Sequence, residues 1–103
     1  MTQWIDACAT DDIEQEEAIR FDHDGRTFAI YHSPDNAFFC TDGLCTHEKV
    51  HLVDGLVMDY EIECPKHNGV FDYRTGEAMR APACVNLNTY KTKVENGRVW
   101  IEI

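Results

Sequence analysis

The chain has 103 residues, with 19 Asp and Glu against 9 Lys and Arg, for a formal net charge of −10. That length admits one compact domain, 1–103, and excludes a multidomain enzyme. At 44% hydrophobic residues the composition is that of a globular chain, not a disordered tail. A domain this small buries only part of its surface, so a bound metal often supplies missing stability. No apolar run approaches the roughly 18 residues that span a bilayer. The first fifteen residues carry acids and no basic leader, so a cytoplasmic chain is expected. In that compartment five cysteines point to metal or buried thiols rather than a disulfide framework.

The charge is concentrated at the start. Residues 1–25 hold eight acids (Asp6, Asp11, Asp12, Glu14, Glu16, Glu17, Asp22 and Asp24) and one base, Arg20. Such a field repels phosphate backbones and anionic lipid, which argues against nucleic acid or membrane as partners. It serves either as a solvated face that keeps the protein soluble or as a steering field toward a basic protein.

In chain order, a short helical turn near Asp11–Glu17 is the most that helix signals allow. Ala18–His23, Asp24-Gly25 and Arg26–Tyr31 read as a hairpin with a two-residue turn. Ser33–Asn36 is a turn before a short strand at Ala37–Cys40. From Asp42 to Pro82 the alternation breaks down, and this stretch holds six of the nine Gly and Pro residues. It reads as loop-rich, and loops on a rigid scaffold are where sites sit. Leu87–Val94 reads as a strand, Glu95-Asn96-Gly97 as a turn, and Arg98–Ile103 as a closing strand with Val99, Ile101 and Ile103 alternating. No apolar period of 3.6 persists long enough for a helix. The expected class is all-β, with one site built from loops.

Within the loop-rich stretch stand Cys45-Thr46-His47 and Cys64-Pro65-Lys66-His67: C-x-H, sixteen residues, then C-x-x-H. Each half offers one thiolate and one imidazole from a tight turn. Two Cys and two His suit either a tetrahedral structural zinc or a Rieske-type [2Fe-2S] cluster. Zinc fingers usually pair like with like, whereas here each loop mixes Cys and His. In a Rieske centre one iron takes both thiolates and the other both imidazoles. Two facing loops satisfy that arrangement when each hands its Cys to one iron and its His to the other, so ligand order favours the cluster.

These residues resemble the Rieske ferredoxins that serve ring-hydroxylating and related Rieske oxygenases. The resemblance extends to Leu52-Val53-Asp54-Gly55 after the first loop, Phe71–Gly76 after the second, and Ala81-Pro82-Ala83 where the family has a proline loop covering the cluster. It spans nearly the whole chain. The Cys45–His51 and Cys64–Gly69 runs also look like ferredoxins associated with rhizopine catabolism. The resemblance implies stacked antiparallel sheets with a cluster-binding part at about 42–83. It implies Cys45 and Cys64 on the inner iron, and His47 and His67 on the outer, electron-accepting one. It further implies one cluster per chain and no catalysis by the chain itself. The partners it implies are an NAD(P)H-dependent flavin reductase as donor and a terminal Rieske oxygenase as acceptor.

Two departures bear on the potential. The inter-loop disulfide of high-potential relatives would fall at Val50 and Lys66, and neither is Cys. The serine and tyrosine whose hydroxyls donate to cluster sulfurs in those relatives fall at Gly69 and Phe71. With fewer donors the extra electron is less well stabilised, so the potential is expected near the low end of the Rieske range, roughly −150 mV.

Other patterns carry less. His47–His51 matches H-E-x-x-H, but a metalloprotease needs that motif on a helix, and none is signalled between Gly43 and Gly55. Cys40 and Cys45 open a plant-type ferredoxin spacing that fails at Glu48. Cys8, Cys40 and Cys84 are expected as buried thiols and His23 and His32 as surface residues. His51 is expected to pack in its loop or lie at the surface, while Trp4, Trp100, Phe28 and Tyr31 are expected to pack in the sheets. Lys49 and Lys66 stand in the ligand loops, where they either aid solubility or touch a partner. A Rieske-like small subunit of a larger oxidoreductase and a structural zinc module remain as alternatives.

Overall fold

The computed structural model describes residues 2–66 and 68–103. His67 therefore lies outside the described residues. Among them the chain forms eleven strands, all paired antiparallel, and two single-turn 3-10 segments.

β1 (Trp4–Ala9) leads into a 3-10 turn at Thr10–Asp12. This turn falls earlier than the expected Asp11–Glu17, because the Asp12 carboxylate accepts the Ala9 N–H at 2.9 Å and closes it there. β2 (Glu17–His23) and β3 (Arg26–His32) form the expected hairpin. Its turn residues have left-handed backbones, Asp24 at φ 50° and Gly25 at φ 76°. That twist suits a two-residue hairpin loop. β4 (Phe38–Asp42) pairs with β3 and runs two residues beyond the expected end. β5 (Leu56–Met58), β6 (Glu61–Glu63), β7 (Val70–Asp72) and β8 (Ala78–Arg80) make a meander of short strands. The expected strand 87–94 divides at Lys91 into β9 (Thr89–Tyr90) and β10 (Thr92–Glu95). The division moves the chain from one sheet to another: β9 pairs with β4, and β10 with β11 (Arg98–Glu102).

Three sheets result, in the orders β1-β11-β10, β2-β3-β4-β9 and β5-β6-β7-β8. β3 is the hinge of the packing. Its alternate side chains point to opposite faces, and both faces are covered. Phe28 and Ile30 join Cys8, Cys40, Val99 and Ile101 in one core. Ala29 and Tyr31 join Leu52, Ile62, Phe71, Tyr73 and Leu87 in the other, together with Cys45 and Cys64. Tyr31 and Tyr73 stack at 4.4 Å with planes 3° apart. The Tyr31 hydroxyl pairs with Thr41 Oγ1 at 2.9 Å, and the Tyr73 hydroxyl donates to the Asp59 carbonyl.

The third sheet is an excursion from the second. The chain leaves β4 at Asp42 and returns beside it at Asn88, whose carbonyl accepts the Asp42 N–H at 3.0 Å and whose side-chain amide donates to the Asp42 carboxylate at 2.9 Å. The stretch between, Cys45 and Cys64 included, enters and leaves at this junction and also packs back on β3. No helix among the described residues is long and apolar enough to cross a membrane.

Candidate metal centre

The first loop is a closed stem. Gly43 N–H donates to the Thr27 carbonyl at 2.9 Å, and the Gly43 carbonyl accepts Leu52 N–H at 2.8 Å. Leu44 and His51 face each other in an isolated bridge, and Cys45 N–H reaches the Val50 carbonyl at 3.0 Å. This stem turns Cys45 into the core and leaves His47 exposed. His51 fastens the base of the loop. It is buried, its Nδ1 accepts Val53 N–H at 3.3 Å, and its Nε2–H is therefore the donor to Thr27 Oγ1 at 2.9 Å. Burial holds its pKa below the usual 6.5, keeping the ring neutral. A Cβ at Gly43 would come within 2.5 Å of that Nε2, so only glycine admits the ring.

The second loop is a tighter turn in which Cys64 N–H donates to the Gly69 carbonyl at 2.7 Å and Asn68 takes a left-handed backbone, φ 59°. Cys64 is buried and its sulfur accepts the Lys66 N–H. Cys45 and Cys64 share one core, and the Cys45 thiol acts on the ionisation of Cys64. Burial pushes the Cys64 thiol up to about 11, and the Cys45 thiol and the Glu48 carboxylate add to this against the Lys66 N–H. Such thiols ionise when a cation is there to take them, which is what metal coordination supplies.

Three contacts lock the loops together. Lys66 Nζ pairs with Glu48 at 3.3 Å across the two motifs. Thr46 Oγ1 donates to the Val85 carbonyl at 2.5 Å, tying the first loop to the segment after Pro82. Gly69 packs so closely on Ala83 that an added Cβ would lie 3.0 Å from its Cβ and its N. Among the described residues no three His, Cys, Asp or Glu side chains gather so as to hold a single ion. What the described residues do bring together in one core is two buried thiols, Cys45 and Cys64, with the exposed His47 two positions after Cys45 in the chain, and this sulfur and nitrogen donor set fits a Rieske cluster. A cleft of about 670 Å³ beside Trp4, Phe39 and Tyr73 includes none of the expected ligands in its lining.

A family model described as Rieske [2Fe-2S] domain matches residues 3–91. The chain belongs to this family. It is 40% identical over 101 residues to the ferredoxin component of the naphthalene 1,2-dioxygenase system of Pseudomonas putida, a match covering 98% of this chain and 96% of that one. The ferredoxin of Sphingomonas yanoikuyae B1 superposes with a TM-score of 0.91 at 32% identity, covering 98% and 99% of the two chains. A chain in the complex of reduced oxygenase and oxidised ferredoxin of carbazole 1,9a-dioxygenase superposes at 0.90 with 31% identity, covering 95% of this chain and 91% of that one. The cofactor of this Rieske domain is a [2Fe-2S] cluster, and its activity is electron transfer as a ferredoxin component, with no catalysis of its own.

Several sequence expectations need correction. Cys84 is exposed, in contrast to Cys8 and Cys40, because it rides the surface segment after Pro82. His32 is buried, with Nδ1 on the Ile13 carbonyl at 2.7 Å and its ring stacked on Phe38. Trp4 and Trp100 do lie in their sheets, in β1 and β11, half-buried with the Lys93 ammonium over both rings at 4.5 and 5.8 Å. Thr46 and Arg80, which brace the loops, carried no sequence signal, since their partners, the Val85 and Asn68 carbonyls and the Glu63 carboxylate, are distant in the chain.

Proposed function

We propose that Cys45, His47, Cys64 and His67 are the four ligands of the cluster, within a cluster-binding part at about 42–83. In this reading the protein, in the cytoplasm, carries single electrons from an NAD(P)H-dependent flavin reductase to a terminal Rieske oxygenase. The observation that carries the reading is the pair of buried free thiols, Cys45 and Cys64, in one core, with an exposed His47 two residues after Cys45. When bound, the cluster supplies a one-electron acceptor. Around it, burial of the two sulfurs keeps water away, and the Lys66 N–H aimed at Cys64 stabilises charge on that sulfur. The exposed edge of His47 shortens the path to a docked protein. The names of the relatives, ferredoxin components of dioxygenase systems, support an oxygenase as the acceptor.

The ligand set is tested by iron analysis and low-temperature EPR of the dithionite-reduced protein. Wild type is expected to hold about two irons per chain with a Rieske-type signal. Cys45→Ser, His47→Gln, Cys64→Ser and His67→Gln should each lose that signal, while Cys40→Ser and His51→Gln keep it. A ligand variant that keeps a wild-type spectrum overturns its assignment. Bleaching of the visible bands by NADH plus a flavin reductase, and their return on adding a Rieske oxygenase, tests the two partners in turn.

A further inference from the structure

The second motif is held from outside by a residue the ligand set does not include. Arg80 closes β8, directly before Ala81-Pro82. Its Nη2 pairs with the Glu63 carboxylate at 3.2 Å. The same guanidinium donates through Nε and Nη2 to the Asn68 carbonyl at 3.2 and 3.1 Å. Glu63 is the residue before Cys64, and Asn68 follows the position of His67. One planar cation thus grips both ends of the Cys64–Gly69 turn and ties them to the strand that leads into the proline segment. Among the described residues the turn is also closed by the Cys64 N–H to Gly69 carbonyl bond and by the Glu63–Val70 pairing of β6 with β7, and Asn68 takes a left-handed backbone.

We infer that Arg80 is the positioning residue of the second ligand loop, setting the geometry and the reduction potential of the centre without touching it. The inference rests on the ligand reading above. Guanidinium is suited to the task because its fork donates to a carboxylate and a carbonyl at once, in one plane. A lysine at the same place would keep the charge and lose the fork. Two effects are therefore separable. The charge favours the reduced, more negative state of the centre, whereas the fork fixes the turn and so the direction of its N–H groups.

The test uses the whole holoprotein as wild type, Arg80→Gln, Arg80→Lys and Glu63→Gln. Readouts are iron content, EPR of the reduced form, midpoint potential, and amide exchange of the 64–69 segment. Arg80→Gln is expected to shift the potential to more negative values and broaden the EPR signal. Exchange in 64–69 should be roughly two- to fivefold faster, the scale of an exposed ion pair. Arg80→Lys should recover the potential but keep the broadened signal and the faster exchange. Glu63→Gln, which leaves the Asn68 contact in place, should keep the sharp signal. Wild-type line shape and exchange in Arg80→Lys would overturn the positioning role, even if Arg80→Gln failed to load iron. Absence of a Rieske signal in wild type would instead overturn the ligand reading, which keeps the two failures distinct.

Discussion

Phe71 is wholly buried in the core that holds Cys45 and Cys64, and Gly69 lies against Ala83. The resemblance puts the hydroxyl donors of high-potential relatives at these two positions, but the structure treats them differently. Phe71→Tyr adds only a hydroxyl to a ring already in place. It should raise the midpoint potential with iron retained, and an unchanged potential would remove the donor account. Gly69→Ser must first move Ala83, an overpacking that costs about 1–3 kcal/mol, so a lowered melting temperature should accompany any gain in potential. His51 gives a second residue-scale prediction. Its folded pKa is lowered, chiefly by burial, while the unfolded ring keeps 6.5. Above pH 6.5 both states are neutral and its contribution is full. As pH falls below 6.5 the unfolded state takes up the proton first, so stability declines until the folded pKa is passed. Arg20 opposes protonation as well, and Asp54 and Asp22 favour it. The slope of melting temperature against pH below 6.5 should be shallower in His51→Gln.

At the scale of elements, legibility in the sequence followed the range of the interactions involved. The β2–β3 and β10–β11 hairpins were readable because Asp24-Gly25 and Asn96-Gly97 announce their turns locally, and both pairs show the left-handed backbones those turns need. The Cys/His motifs were readable for the same reason: ligand chemistry is written in short spacings. β1 was not, since its alternation slips at a bulge between Asp6 and Cys8 and its partner β11 lies at the other end of the chain. The burial of His32 also came from a distant partner, the Ile13 carbonyl. The short strands β5–β8 lack a long period and are held by turns instead. One of these is testable. Gly76 has φ 80°, and a Cβ there would lie 2.1 Å from the Leu87 carbonyl oxygen. Its own carbonyl accepts Leu87 N–H at 2.8 Å. Gly76→Ala thus meets backbone strain and backbone collision together. It should cost more than about 1 kcal/mol, enough to lower the melting temperature by some 4–8 °C in a domain of this size, and no loss would show that the β7–β8 turn relaxes freely.

Across the whole molecule, β3 divides the interior into a core with Cys45 and Cys64 and a core without them. Substitutions on its two faces should therefore separate stability from redox properties. Ile30→Ala, facing the side of Val99 and Ile101, should cost about 2–5 kcal/mol and leave the midpoint potential unchanged. Tyr31→Leu loses the Tyr73 stack and the Thr41 hydroxyl pair beside the thiols, so it should shift the potential and hasten cluster loss as well. Equal potentials in the two variants would mean that the cores are not independent. All eight acids of residues 1–25 are exposed on the surface, which leaves their field available to an approaching partner.

The Asp42–Asn88 junction has a consequence for how such a domain is built and rebuilt. Because the chain departs and returns through neighbouring positions of one sheet, the part carrying both Cys/His motifs behaves as a cassette plugged into a socket. The host sheet pays little loop-closure entropy for it, since its ends are already side by side. A cassette bounded in this way can be exchanged between hosts, carrying its own bracing, Arg80 and Thr46 included, while the host supplies β3 as the wall behind the thiols. Transplanting residues 43–87 between two such frames would then move the electronic character with the cassette and leave the acidic field of residues 1–25 with the frame.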